Sequence, residues 1–339
     1  MPDTLPGRER IIAGWLLFCC VMIFAMVVLG GVTRLTGSGL SMVEWDPIFG
    51  VVPPLNDAEW QAVFDKYRAS PEYQKVNVRM DVEGFKSIYW FEFAHRLLGR
   101  AIGTVFLLPF LYFLWRGWVR PPLTYKLAAM FVLGGLQGAL GWYMVASGLV
   151  DDPHVSQYRL TAHLLLAFVI YGYILWVALD LLYPRRIIYE APRLRAGTTA
   201  FLALVTLTIG SGGLVAGLKA GYAYSTFPLM DGHLVPKAIF LLDPLWRNFF
   251  ENIATVQFDH RLLATVVLIG GIALWLAALR LPGALRLRAH LLLAMIGVQI
   301  GLGISTLLLH VPVGLASAHQ AGALVLLTLT LYLLHGLRK

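Results

Sequence analysis

Eight predominantly apolar stretches recur along the chain, at 11–32, 89–115, 124–146, 159–182, 198–218, 251–279, 288–309 and 313–336. About 20 residues of helix, rising about 1.5 Å each, cross the hydrocarbon core of a bilayer, so the pattern predicts eight transmembrane helices. The first stretch follows Arg8 and Arg10; it is long for a cleaved leader and has no convincing small-residue cleavage site after it, so it is read as a span. Two connections are long. Residues 33–86 carry many of the acids and several aromatics, and residues 219–250 are rich in Gly, Pro and aromatics.

Composition agrees with the pattern. The chain of 339 residues is 58% hydrophobic and 14% charged, with mean hydropathy +0.70, whereas soluble domains are roughly a quarter charged. That excludes a soluble globular protein. The net charge of +8 looks basic, but fourteen Lys and Arg fall at the span ends on the N-terminal side: Arg8, Arg10, Arg116, Arg120, Lys126, Arg185, Arg186, Arg193, Arg195, Arg280, Arg286, Arg288, Arg338 and Lys339. Basic residues collect in cytoplasmic loops, so both termini are expected on the cytoplasmic, or mitochondrial matrix, side. Topology thus accounts for the charge, and no nucleic-acid partner is needed. Cys19 and Cys20 are adjacent inside the first apolar run, which excludes an extracellular disulfide framework.

The chain repeats itself. Phe93-Ala94-His95-Arg96-Leu97-Leu98 is echoed by Phe258-Asp259-His260-Arg261-Leu262-Leu263, and Gly135-Leu136-Gln137 with Gly141 by Gly297-Val298-Gln299 with Gly303. Ala162-His163 is matched by Ala318-His319, and Gly30-Gly31 by Gly212-Gly213. The expected fold is therefore an all-α integral membrane protein, its eight helices forming two pseudo-symmetric four-helix bundles, 1–186 and 187–339. An even number of crossings per half gives both halves the same orientation.

His95, His163, His260 and His319 sit at repeat-related positions near the starts of the second, fourth, sixth and eighth spans. Ionisable groups within a membrane are expensive and mark functional sites. Two imidazoles facing each other from neighbouring helices of a bundle suit axial ligation of a haem, and Arg96 and Arg261 stand where propionates would need a guanidinium. Plain snorkelling to the interface is the competing reading for either arginine. His154, His233, His290, His310 and His335 are expected to be interfacial or solvated. The halves differ at one place: Glu92 precedes His95 by three residues, where Gln257 precedes His260. Glu92 is either one end of an i, i+4 ion pair with Arg96 or a carboxylate that moves protons or orients a substrate beside a reactive iron. A di-iron carboxylate bundle needs two Glu-x-x-His motifs and further glutamates; this chain has one.

The residues 30–42 (GGVTRLTGSGLSM), Glu92-Phe93-Ala94-His95-Arg96, the run 226–232 (TFPLMDG), Phe258-Asp259-His260-Arg261 and Ala318-His319-Gln320 resemble the haem A synthase family, in the mitochondrial-type branch without cysteine pairs in the long loops. The match covers essentially the whole chain. The resemblance implies an eight-helix membrane oxidoreductase that converts the ring methyl of haem O to the formyl group of haem A through a hydroxymethyl intermediate, in cytochrome oxidase assembly. By it, His260 and His319, with Arg261, would bind a resident haem b. His95 and His163, supported by Arg96, would hold the substrate haem, and Glu92 would be catalytic. Haem O synthase and a ferredoxin-type or other electron donor are the partners the resemblance suggests, within a bacterial cytoplasmic or mitochondrial inner membrane.

Two other readings compete. A bis-haem b-type cytochrome that only transfers electrons explains the histidines but not the one-sided Glu92. A transporter or haem-delivery protein needs a polar path at the midplane, which is poor in ionisable groups. Trp45, Asp46 and Trp60 are read as interfacial anchors in preference to a lid over the substrate site.

Overall fold

The computed structural model describes residues 6–45, 50–150, 153–183 and 191–337. Asp46 and the basic residues Arg185, Arg186, Arg338 and Lys339 lie outside the described residues. Eight helices are long and apolar enough to cross a membrane: α1 (Pro6–Leu35), α4 (Val82–Trp115), α5 (Leu123–Gly148), α6 (Gln157–Leu182), α7 (Pro192–Gly217), α9 (Ile253–Ala278), α10 (Gly283–Leu308) and α11 (Val313–Gly336). Each overlaps one expected span. Among the described residues the chain is all-α, with short α2 (Asp57–Arg68) and α3 (Pro71–Lys75) in the first long connection and α8 (Asn248–Glu251) in the second. The protein is a multi-pass membrane protein.

Two compact units are present, one drawn from Met1–Cys20 with Leu160–Lys339, the other from Val21–Arg159. In the first, α7 packs on α9 and α11, and α10 packs on the same two helices, closing a ring of four. α6 lies along this bundle: the Tyr171 hydroxyl meets Thr328 Oγ1 at 2.9 Å and Asp180 Oδ1 meets His335 Nε2 at 3.2 Å. His335 is 2% exposed, which corrects the expectation of an interfacial residue. Its imidazole is enclosed by Trp176 and Tyr183 and satisfied by the acid of another helix, so burial costs it little.

In the second unit α4 packs against α5 and α2, and the last turns of α1 lie on α4, where Met26 meets Gly99 and Gly30 meets His95. The first long connection is a small folded layer. Asn56 caps α2 by accepting from Glu59 N, while Glu59 reaches back to Leu55 N and Asn56 Nδ2, a reciprocal arrangement that satisfies the donors at a helix start. Trp60, Phe64 and Tyr67 then line one face of α2 and pack on Phe85, Ile88, Tyr89 and Phe93 of α4. The Tyr67 and Phe85 rings stack at 4.9 Å, and Trp60 meets Tyr89 edge-on at 5.1 Å. Trp60, 8% exposed, is thus a core residue and no interfacial anchor, because its helical spacing with Phe64 turns it inward onto α4. Trp45 remains half-exposed, with the Arg96 guanidinium 5.1 Å above its ring. Tyr67 accepts from Asn77 Nδ2 at 2.7 Å, and burial pushes its pKa above the ordinary phenol range.

Candidate functional site

Two corners, one in each unit, are built on the same plan. α1 ends on Gly37 at φ +67°, with Ser38 N donating to the Thr33 carbonyl and Gly37 N to that of Arg34, the left-handed turn that closes the last carbonyls of a helix. The chain then doubles back so that the Met42 and Glu44 carbonyls face α4. There Arg96 Nη2 donates to Met42 O and Nη1 to Glu44 O, both at 2.8 Å. In the other unit, α7 ends before Lys219, also left-handed at φ 54°. Arg261 Nη2 donates to Tyr224 O at 3.0 Å and Nη1 to Thr226 O at 2.9 Å. Gly37 with Lys219, Met42 with Tyr224 and Glu44 with Thr226 are each separated by the same number of residues as Gly30 and Gly212. The repeat therefore extends to individual hydrogen bonds. Both arginines spend their terminal nitrogens on backbone carbonyls, contacts that the sequence motif alone does not disclose.

The corners part at the residue four before the arginine. Glu92, 3% exposed, accepts from Ser41 Oγ at 2.7 Å and Met42 N at 2.8 Å through Oε2, and from Arg96 Nη2 at 2.6 Å through Oε1. Three donors on two oxygens are the surroundings of an ionised carboxylate, which is acceptor-only. The i, i+4 ion pair is thus formed, and it is one of three ties. Gln257, also 3% exposed, instead donates through Nε2 to Tyr224 O at 3.0 Å. The Ser41 position corresponds to Ala223, so the C-terminal corner lacks both the acid and its hydroxyl donor.

His260 on α9 and His319 on α11 are brought together, their ring centroids 6.4 Å apart and their planes at 88°. Ser211 Oγ of α7 lies 2.8 Å from His260 Nδ1. His319 is set by Gln299, whose Nε2 donates to the His319 carbonyl at 2.8 Å; its Nδ1 has no hydrogen-bond partner. Each ring lies close against a glycine. A Cβ at Gly212 would stand 3.2 Å from His260 Cε1, and one at Gly303 would stand 2.9 Å from His319 Cε1, so any larger residue would push the rings out of place. Arg261 Nε is buried without a partner.

His95, on α4, turns its Nε2 edge toward α1, where a Cβ at Gly30 would stand 3.1 Å away. His163 lies in the first turns of α6, in the other unit. His154, His233, His290 and His310 are exposed, as expected, and Trp275 Nε1 donates to His290 Nδ1 at 2.8 Å. Ser41 and Ser211 were missed by motif reading. Ser41 stands inside the quoted 30–42 run, but nothing local ties it to a carboxylate fifty-one residues on.

An all-helical multi-pass membrane protein with facing imidazoles on neighbouring helices and one buried, clamped carboxylate belongs to the class of intramembrane redox or cofactor-handling proteins. The comparisons make this specific: the chain belongs to the COX15-CtaA family of cytochrome oxidase assembly proteins, whose pattern matches residues 13–331. It is 56% identical to the Heme A synthase of Nitrosospira multiformis over 99% of this chain and 98% of that one. It is 52% identical to the Heme A synthase of Nitrosomonas eutropha (97% and 94% covered) and 50% identical to that of Paramagnetospirillum magneticum (99% and 96% covered).

Proposed function

We propose that this protein is a haem A synthase that oxidises the ring methyl of haem O to a formyl group. The methyl reaches the aldehyde through a hydroxymethyl intermediate. The observation that carries the reading is the one-sided acid: a buried carboxylate held by three donors in one corner, and an amide in its repeat-related partner. Family membership supplies the haem chemistry.

The residues of the C-terminal pair fit a resident haem b. His260 and His319, on neighbouring helices with ring centroids 6.4 Å apart, would hold its iron. The orphaned Arg261 Nε, buried at the same corner, is a donor for a propionate. When bound, such a haem supplies one-electron transfer. The N-terminal half, 1–186, takes the substrate, with His95 and His163 as its ligands and Arg96 supporting the site. The C-terminal half, 187–339, keeps the cofactor.

Glu92 is the proton acceptor for the carbon-bound hydroxyl as it is oxidised. Three of its roughly four acceptor positions are filled, which leaves one on Oε1 for a substrate proton. Ser41 and Met42 N fix the carboxylate against rotation, and Arg96 balances its charge, so the carboxylate is held ready without reorganisation. Both termini face the cytoplasm, haem O arrives from its own synthase within the membrane, and a ferredoxin-type or other protein is the electron donor. The test is to extract and identify the haems of wild type and Glu92→Gln purified from cells that make haem O. Wild type should carry haem B with haem A or hydroxylated haem O, and the variant haem B with haem O, conversion falling about 10²–10⁴-fold. Haem B alone in both would identify an electron-carrying cytochrome instead.

A further inference from the structure

His260, of the C-terminal pair, has a side-chain hydroxyl against its ring. Ser211 Oγ donates its single hydrogen to the Thr208 carbonyl at 2.8 Å and stands 2.8 Å from His260 Nδ1. A hydroxyl has one proton to give, and with that proton on the Thr208 carbonyl the contact with His260 places a proton on Nδ1. Nε2 is then left as a bare lone pair, the state in which an imidazole binds metal; a hydrogen bond at the far nitrogen both orients a ligating ring and makes it a stronger donor. The hydroxyl belongs to one half of the repeat only, because the residue before Gly30, matching Ser211 before Gly212, is Leu29.

The geometry points to Ser211 as a positioning residue that fixes His260 with Nδ1 protonated and Nε2 free, and thereby strengthens the hold of the C-terminal pair on its haem. The inference rests on the assignment of a resident haem b to His260 and His319. Ser211 touches neither iron nor substrate; it acts through the ring.

The experiment compares purified wild type, Ser211→Ala and Ser211→Thr for haem B per polypeptide, loss of haem B to added apomyoglobin, the electron paramagnetic resonance of the ferric form, and midpoint potential. Ser211→Ala should lose haem B 10–100-fold more readily, the usual cost of removing a partner of a metal-ligating histidine. Its potential should rise by about 59 mV for each tenfold by which ferric affinity falls more than ferrous, with a shifted ferric signal. Ser211→Thr, which restores a hydroxyl, should recover all three. Ser211→Ala with wild-type retention, potential and spectrum would overturn the proposal, as would Ser211→Thr that elutes intact yet behaves as Ser211→Ala. Absence of haem B from the wild type would sink the resident-haem assignment and the proposal with it, a result read from the wild type alone.

Discussion

At the start of α4 an arginine clamps two carbonyls of the returning chain and also a glutamate; at the start of α9 an arginine clamps the two matching carbonyls beside a glutamine. The clamp is the same whichever residue stands four positions earlier. Arg96 and Arg261 are therefore first of all architectural, tying the turn after α1 or α7 to the helix that carries the histidine. The acid is an addition to one copy of this plan, and it came with Ser41 as a second donor. The repeat supplies the scaffold, and two side chains, Glu92 and Ser41, distinguish one corner from the other.

The largest expected break in the comparison comes from the arginines. Arg96→Ala leaves Glu92 buried without its cation, which costs about 3–5 kcal/mol when a buried pair is broken from one side. Arg261→Ala leaves a neutral Gln257 and frees carbonyls, and should cost about 1–3 kcal/mol. Unfolding of the two purified variants in a detergent series measures the difference; equal losses would mean that the carboxylate is not held as an ion. A smaller effect is expected for Ser41→Ala, about 1.5–3 kcal/mol for a hydrogen bond to a charged group, with haem O conversion slowed and haem B retained. The same substitution leaves the C-terminal corner untouched, since Ala223 already stands there.

The eight spans were legible because apolar windows near 20 residues leave few alternatives; several begin five to seven residues before their expected starts, and in α4 the added turns carry Phe85 and Ile88, which pack in the aromatic layer. α2 and α3 were hidden inside a connection read as loop, although Asn56 and Glu59 carry a capping signature and Trp60, Phe64 and Tyr67 recur at helical spacing. Their burial depends on Phe85 and Tyr89, and a partner face is not written in a local pattern. His335 illustrates the same limit: near a span end it reads as interfacial, and only the packing of α6 on α11 brings Asp180 to it. The four repeated histidines, Glu92 and both arginines were visible as motif residues. Ser41, Ser211 and the clamped carbonyls were not, because each contact joins residues 35 to 54 positions apart.

The division of labour between the two corners is tested most directly by the haems extracted from His95→Ala and His260→Ala, purified side by side from cells that make haem O. His95→Ala should keep haem B and lose haem O and haem A; His260→Ala should lose haem B. Loss of the same haem from both variants, or of haem B from His95→Ala alone, would contradict the account.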